Sequence, residues 1–293
     1  MDNMVSNNII RRNRVLLAGL SVAALILAAA CSSGGGSAGG GGSAGGGGSA
    51  GGGGSAGTPP TPRQALLAAA TQAQQMTSAT EMLTIQTSGI QSATITGIIV
   101  VQLKPTLKLG AKLNLAAAGK STQIKEILTG TALYLKTAAL TSQLGKPWVK
   151  IDLSALKGTS GASFAQLVHS LQSSNFSYQA EMLTLAKNAR VVRTQTVGGV
   201  SATEYACSIN AAEGLKALPA SFGKFMATEL RALGNRTISF HVWIDGQNHI
   251  RKVTEIVTVS GETVHTTVNI KAFNQPVHIT LPPASQTATR PGL

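Results

Sequence analysis

An α+β fold is predicted: a large curved antiparallel β-sheet, a half-barrel of about eleven strands, with amphipathic helices on its concave side. Three observations lead there. Segments of alternating apolar and polar residues recur over most of the chain after residue 80. Turn dipeptides such as Gly198-Gly199, Asp245-Gly246 and Ser260-Gly261 separate several of them. Stretches of helical period interrupt the series in two places. An antiparallel sheet of that size curls, and the face it turns inward must be covered.

The elements follow in order. Pro62 suits the first turn of a helix running to about Ser78. Strands are predicted near 82–88, 93–103, 107–116, 121–129, 131–137 and 148–153. Leu107, Leu109, Ala111, Leu113 and Leu115 alternate with Lys108, Gly110, Lys112 and Asn114, which gives that strand one apolar and one wet face. Trp148, Lys150 and Asp152 alternate with Val149, Ile151 and Leu153 in the same way. Phe164, Leu167, Val168 and Leu171 then fall on one face of a helix, and a second helical stretch covers 178–188. Strands near 190–197 and 200–209 form a hairpin. A helical block over 211–233, broken near Pro219, puts Phe222, Phe225, Met226, Leu230 and Leu233 on one face. Strands near 237–245, 249–259 and 262–273 close the sheet, and Pro282-Pro283 is read as the end of the domain.

The first 57 residues have a different character. Arg11, Arg12 and Arg14 precede sixteen mostly apolar residues, Val15 to Ala30, that stop at Cys31. A basic start, a short apolar run and small residues at its end describe a secretory signal peptide over 1–30. The run is shorter than the ~20 residues of a transmembrane helix. Ala28-Ala29-Ala30-Cys31 resembles a bacterial lipobox, with Leu27 one residue early. The expectation is therefore lipidation at Cys31, as a diacylglyceryl cysteine with a further acyl chain such as palmitate. Residues 32–57 contain only Gly, Ser and Ala. Nothing there can build a core, so 31–57 reads as an anchor followed by a leash of mean span about 25–30 Å. Residues 58–293 are assigned to one domain. These segments place the protein on the extracytoplasmic face of the cell membrane.

Composition narrows the partners. The chain carries a formal charge of +13, with only 12% charged and 4% aromatic residues. Its basic residues are scattered and not interleaved with aromatics, which disfavours nucleic acid. For an exported chain an anionic lipid surface is the expected counterpart. With Cys31 acylated, Cys207 has no partner. It shares an alternation phase with Tyr205 and Ile209 and reads as a buried structural thiol.

Gly145-Lys-Pro-Trp-Val-Lys-Ile-Asp-Leu153, Val242-Trp-Ile-Asp245, Arg251-Lys-Val253, Thr266-Thr-Val-Asn269 and the ending Asn274–Pro283 resemble actinobacterial lipoproteins of the LppX/LprG type. The resemblance extends in element order over nearly all of 58–293. It implies a half-barrel similar in shape to the periplasmic lipoprotein carriers, an apolar cavity, and a lipid or glycolipid ligand. It supplies no catalytic motif and supports Cys31 as the anchor.

Other chemistry finds little support. Ala118-Gly-Lys-Ser-Thr122 imitates the end of a phosphate loop, but Asn114 stands where glycine is needed and a strand follows. His169, His241, His249, His265 and His278 show no metal-ligand spacing, so no metal and no cofactor is expected. No paired acids or nucleophile elbow suggest an enzyme. The leading expectation is a non-enzymatic, monomeric lipid carrier. Its cavity would be bordered by Phe164, Leu167, Val168, Leu171, Phe222, Phe225 and Met226, with an envelope transporter as a candidate partner. The alternative is a structural or interaction lipoprotein with a solid core that docks a membrane or cell-wall partner.

Overall fold

The computed structural model describes residues 60–73, 75–89, 92–152, 186–217, 227, 230–231, 233–259 and 261–290. Helix α1 (Pro62–Ala73) opens it. Thr61 and Gln64 cap this helix reciprocally. The Thr61 backbone N–H donates to Gln64 Oε1 at 2.8 Å, and the Gln64 N–H to Thr61 Oγ1 at 3.3 Å. The helix is shorter than the predicted span, because the chain turns at Met76 and enters a strand at Ser78.

Among the described residues twelve strands make one open sheet. They are β1 (Ser78–Ser88), β2 (Ala93–Gln102), β3 (Lys108–Ala117), β4 (Lys120–Thr129), β5 (Ala132–Lys136), β6 (Trp148–Asp152), β7 (Lys187–Val197), β8 (Val200–Asn210), β9 (Thr237–Asp245), β10 (Ile250–Val259), β11 (Glu262–Phe273) and β12 (Thr287–Arg290). Their spatial order is β12-β6-β5-β4-β3-β2-β1-β11-β10-β9-β8-β7. Two meanders, β1–β6 and β7–β11, thus meet at the central β1–β11 pair. The α+β curved sheet expected from the sequence is the fold observed.

Two elements are additional to the expectation. The count is twelve, because Pro282-Pro283 does not end the domain. From Asn274 the chain runs on beyond β11, and Ile279 lies over the backbone of Gly110 in β3. After a short 3-10 turn it adds β12 beside β6. That pairing is parallel, so the sheet is mixed. Helix α2 (Ala138–Leu144) is the second addition, capped by the Thr137 hydroxyl, which accepts from the Leu140 N–H at 3.1 Å.

Alternation assigns the faces. The inner face carries Leu83 and Ile85, Ile95 and Ile99, Ala111 and Leu113, Cys207 and Ile209, Phe240 and Val242, Val253 and Val257, and Val264 and Val268. These residues form the main core with Ala65, Leu66, Ala69 and Ala73 of α1. A satellite core of Leu128, Val149 and Ile151 packs with Leu140 and Leu144 of α2. Helix α3 (Ala211–Ala217) starts from Asn210, whose side-chain oxygen accepts from the Ala212 and Glu213 N–H groups. Leu230 is buried and Leu233 packs against the main core, as the predicted stripe requires. The twelve described strands and both described cores lie within 60–290. Gly97 of β2 marks a tight point, since a Cβ there would collide with the Lys112 carbonyl oxygen of β3.

Candidate functional site

The inner face is mostly apolar, with threonines such as Thr87 and Thr266 among its buried residues, and three glutamates stand on it. Glu81 pairs with Ile270 and Ile99, and its phase along β1 is that of Leu83 and Ile85. Glu255 pairs with Phe240 and Thr266, between Val253 and Val257. Glu126 pairs with Ala111 and Leu135. Following the registers from Glu81 through Ile99 and Ala111 leads to Glu126, so these two share one row, three strands apart.

Glu81 and Glu255 are each 3% exposed. Among the described residues Glu81 Oε1 and Glu255 Oε2 have no hydrogen-bond partner. Desolvation disfavours the carboxylate and pushes both groups up to about 8. At neutral pH each is then largely a protonated acid, which can both donate and accept a hydrogen bond. Burial also raises Glu126. An apolar floor bearing neutral carboxylic acids suits an amphiphile that brings both hydrocarbon and a polar group to it.

At one rim of the sheet, in the outer phase of β9, a polar cluster ties down the β9–β10 turn. Asp245 Oδ1 accepts from the Gln247 and His249 N–H groups at 2.8 and 2.9 Å, and Oδ2 accepts from Arg251 Nε at 2.7 Å. Burial alone would raise Asp245, but the His249 N–H, the Arg251 guanidinium and the Gln247 N–H outweigh it and hold the group below 3.8. His249 Nδ1 lies 3.4 Å from Asp245 Oδ2 without forming a hydrogen bond. Its ring stacks on Phe273 at 4.3 Å, and Nε2 lies 3.2 Å from Gln72 Nε2 of α1. Arg251 also covers Phe273 at 4.8 Å.

The outer face holds a second ion cluster. Glu204 accepts from Arg193 Nε at 2.8 Å and faces His241 Nδ1 at 2.6 Å. Burial raises this carboxyl, and the hydrogen bonds and charges of His241 and Arg193 more than reverse that, leaving it below 4.5. His241 is therefore half-buried and paired, where its strand phase alone predicts a solvated side chain. Lys252 Nζ sits 4.4 Å from the ring centre of the buried Trp243.

The sequence-predicted residues fare unevenly. Phe164, Leu167, Val168, Leu171, Phe222, Phe225 and Met226, and the lipidation residue Cys31, lie outside the described residues. Cys207 is buried beside Tyr205 and Ile209, and burial pushes its thiol up to about 11, as befits a structural thiol. Asn114 and Lys120 belong to a β-hairpin turning at Ala118-Gly119, so the phosphate-loop imitation is a strand pair. Among the described residues no group of three His, Cys, Asp or Glu is placed to hold a metal. No described helix is long and apolar enough to cross a membrane. The sequence reading passed over the inner-face glutamates. Their signal was present, since Glu255 falls in the phase of Val253, Val257 and Val259.

No protein-family model matches the chain, and no curated protein matches it. Among solved structures it is similar to LprF from Mycobacterium bovis, at 11% identity and TM-score 0.48, covering 75% of this chain and 96% of that one. It is also similar to the Mycobacterium tuberculosis lipoprotein LppX, at 16% identity and TM-score 0.42, over 74% and 98% of the two chains. A LolA superfamily protein from Nitrosomonas europaea follows at 10% identity and TM-score 0.23, over 74% and 96%.

Proposed function

We propose that this chain is a membrane-anchored envelope lipoprotein that binds or carries lipid or glycolipid acyl chains against the inner face of its sheet. In this reading 1–30 is the signal peptide, Cys31 the lipidated residue, 31–57 the leash and 58–293 the carrier domain. The observation that supports it best is the inner face itself. A largely apolar surface on an open sheet carries two buried carboxyls, Glu81 and Glu255, each with an oxygen that has no partner among the described residues. A finished core rarely tolerates such groups, because an unsatisfied buried polar atom costs about 1–3 kcal/mol. An amphiphile with a hydroxyl, amide or amine near its chains satisfies them. Each methylene it buries contributes about 0.8 kcal/mol, so a long chain requires a large apolar shelter. The helical stripes Phe164/Leu167/Val168/Leu171 and Phe222/Phe225/Met226 are proposed as the opposite wall.

Mass spectrometry of an organic extract from purified 58–293 tests the reading. The expected result is stoichiometric co-purified lipid, lost in Leu167→Asp or Met226→Asp variants whose circular dichroism is unchanged. A folded wild-type domain that carries none, after expression in an envelope that offers lipid, refutes it in favour of a docking module with a solid core. The anchor is tested separately. Cys31→Ser is expected to abolish acylation, seen as loss of metabolic palmitate labelling, and an equally labelled variant would remove Cys31 from the site.

A further inference from the structure

Hairpin registers bring three lysines into one row on the outer face. Lys112 of β3 stands directly opposite Lys125 of β4, and Lys125 directly opposite Lys136 of β5. Residues so placed hold their Cβ atoms about 4.5–5.5 Å apart, and like charges at that separation destabilise the pair. The row continues through Ile98 of β2 and Met82 of β1. These side chains are 48% and 44% exposed, large apolar groups left in water beside a block of positive charge. Five adjacent strands make this patch about 20 Å wide. Past Met82 the row passes Asn269 and reaches Lys252.

Counter-charge is absent along it. Among the described residues, no carboxylate stands between Lys136 and Lys252 in this row. Glu126, next to Lys125 in the chain, belongs to the inner face. Glu204 and Asp245 are held by Arg193, His241 and Arg251. The neighbouring row is uncharged as far as Gln123, with Thr254, Thr267, Thr84, Thr96 and Asn114 in sequence across the strands. Lys136 Nζ lies 6.0 Å from the ring centre of Trp148, but a ring does not neutralise the charge, and a lysine block with no carboxylate in its row loses its repulsion when it meets an external anion. A soluble polyanion would engage the lysines and leave Met82 and Ile98 unused. A phospholipid surface uses both, with phosphates at the lysines and the interfacial hydrocarbon at the apolar pair.

We infer that the outer face around Lys112, Lys125, Lys136, Ile98 and Met82 is a docking surface for an anionic phospholipid bilayer. The site is separate from the inner face and does not depend on what that face carries. A domain resting there turns its inner face away from the bilayer. It also has a fixed orientation, which an acylated Cys31 on a long leash could not impose.

The test uses residues 58–293, free of signal segment and anchor, sedimented with vesicles of phosphatidylcholine alone or mixed with phosphatidylglycerol. Binding is expected to the mixed vesicles only, and to weaken as salt shortens the screening length. The triple variant K112Q/K125Q/K136Q should partition about a hundredfold more weakly, at ~1 kcal/mol per lysine. M82S/I98S should bind more weakly yet keep the salt dependence. All five positions are on the surface side, and circular dichroism on the same samples shows that each variant is folded. Equal partition of the triple variant and its parent overturns the inference. So does equal binding to phosphatidylcholine alone, or binding to a soluble anionic polysaccharide with none to vesicles. None of these results bears on whether lipid co-purifies with the domain.

Discussion

Glu204 and Asp245 on the outer side, and Glu81 and Glu255 on the inner face, are all carboxyls no more than 6% exposed. The outer pair is satisfied. Arg193 and His241 flank Glu204, and Arg251 with two backbone N–H groups surrounds Asp245. The inner pair is left with bare oxygens among Ile, Val and Phe. One sheet therefore uses the same chemical group in two ways. Outside, the carboxylate joins strands β7, β8 and β9 and fixes the β9–β10 turn. Inside, a neutral acid interrupts a surface that is mostly hydrocarbon. Burial is common to both, so what separates them is partnership, and partnership decides the direction in which each pKa moves.

Removing a satisfied carboxyl should have the largest effect. Asp245→Ala leaves Arg251 and two turn N–H groups without an acceptor, and loss of about 3–5 kcal/mol is expected in urea denaturation. A loss below about 1 kcal/mol would mean that the turn holds itself together and the outer pairing is incidental. Glu204→Gln is expected to cost less, about 1–3 kcal/mol, because Arg193 is 63% exposed and can return to water. Both carboxyls have folded values below their ordinary 4.5 and 3.8. Their contribution is therefore present above those values and disappears as pH falls through the lower folded ones.

The inner pair should respond with the opposite sign. Glu81 and Glu255 titrate near 4.5 when unfolded and near 8 when folded. Between these values the folded state holds more protons, so stability falls as pH rises through this window. The slope approaches about 1.4 kcal/mol per pH unit for each group. Glu255→Gln and Glu81→Gln should flatten that slope and raise stability at neutral pH by about 1–2 kcal/mol each, after the amide's own burial cost. Denaturation curves from pH 5 to pH 8 would show it. An unchanged slope would mean that these acids already have partners or reach water, which would weaken the case for a ligand at this face. Lipid-loaded domain offers a sharper comparison, because a ligand that hydrogen-bonds to the acids should make the same variants less stable than the loaded parent.

Much of this contrast is legible in the sequence, though in fragments. Eleven strands could be placed because each carries alternation over five residues or more. Strand β12 could not, since Thr-Ala-Thr-Arg has no apolar phase and follows a Pro-Pro pair that reads as a stop. Helix α2 was missed because seven residues are too few for a helical period, and none of them is fully buried. The lysine row was recoverable in principle. A tight turn at Ala118-Gly119 fixes Lys112 opposite Lys125, and one at Gly130-Thr131 fixes Lys125 opposite Lys136. The partnership of an acid is harder to foresee. Glu204 meets Arg193 across a bulged register, which local spacing does not reveal. The proposed far wall of the inner face lies outside the described residues.

The smallest expected effect concerns the segment that belongs to neither face. Residues 32–57 contain no side chain larger than a hydroxymethyl group. All twelve strands and both cores lie beyond it in the chain. Deleting it removes chain that can be ordered only at a large entropic cost, and glycine has the most conformational freedom to lose. The melting temperature of the remaining domain should therefore match that of a domain carrying the tract, with differential scanning calorimetry as the measurement. For a domain of this size about 1 kcal/mol corresponds to a shift of roughly 2–4 °C, so a structural role would be visible. A drop of that size would place the tract against the fold, with the inner face the surface most in need of cover. An unchanged melting temperature together with impaired delivery in the anchored protein would leave reach as the tract's contribution. Impairment should then grow as the tract is shortened and recover when an unrelated Gly/Ser sequence of equal length replaces it.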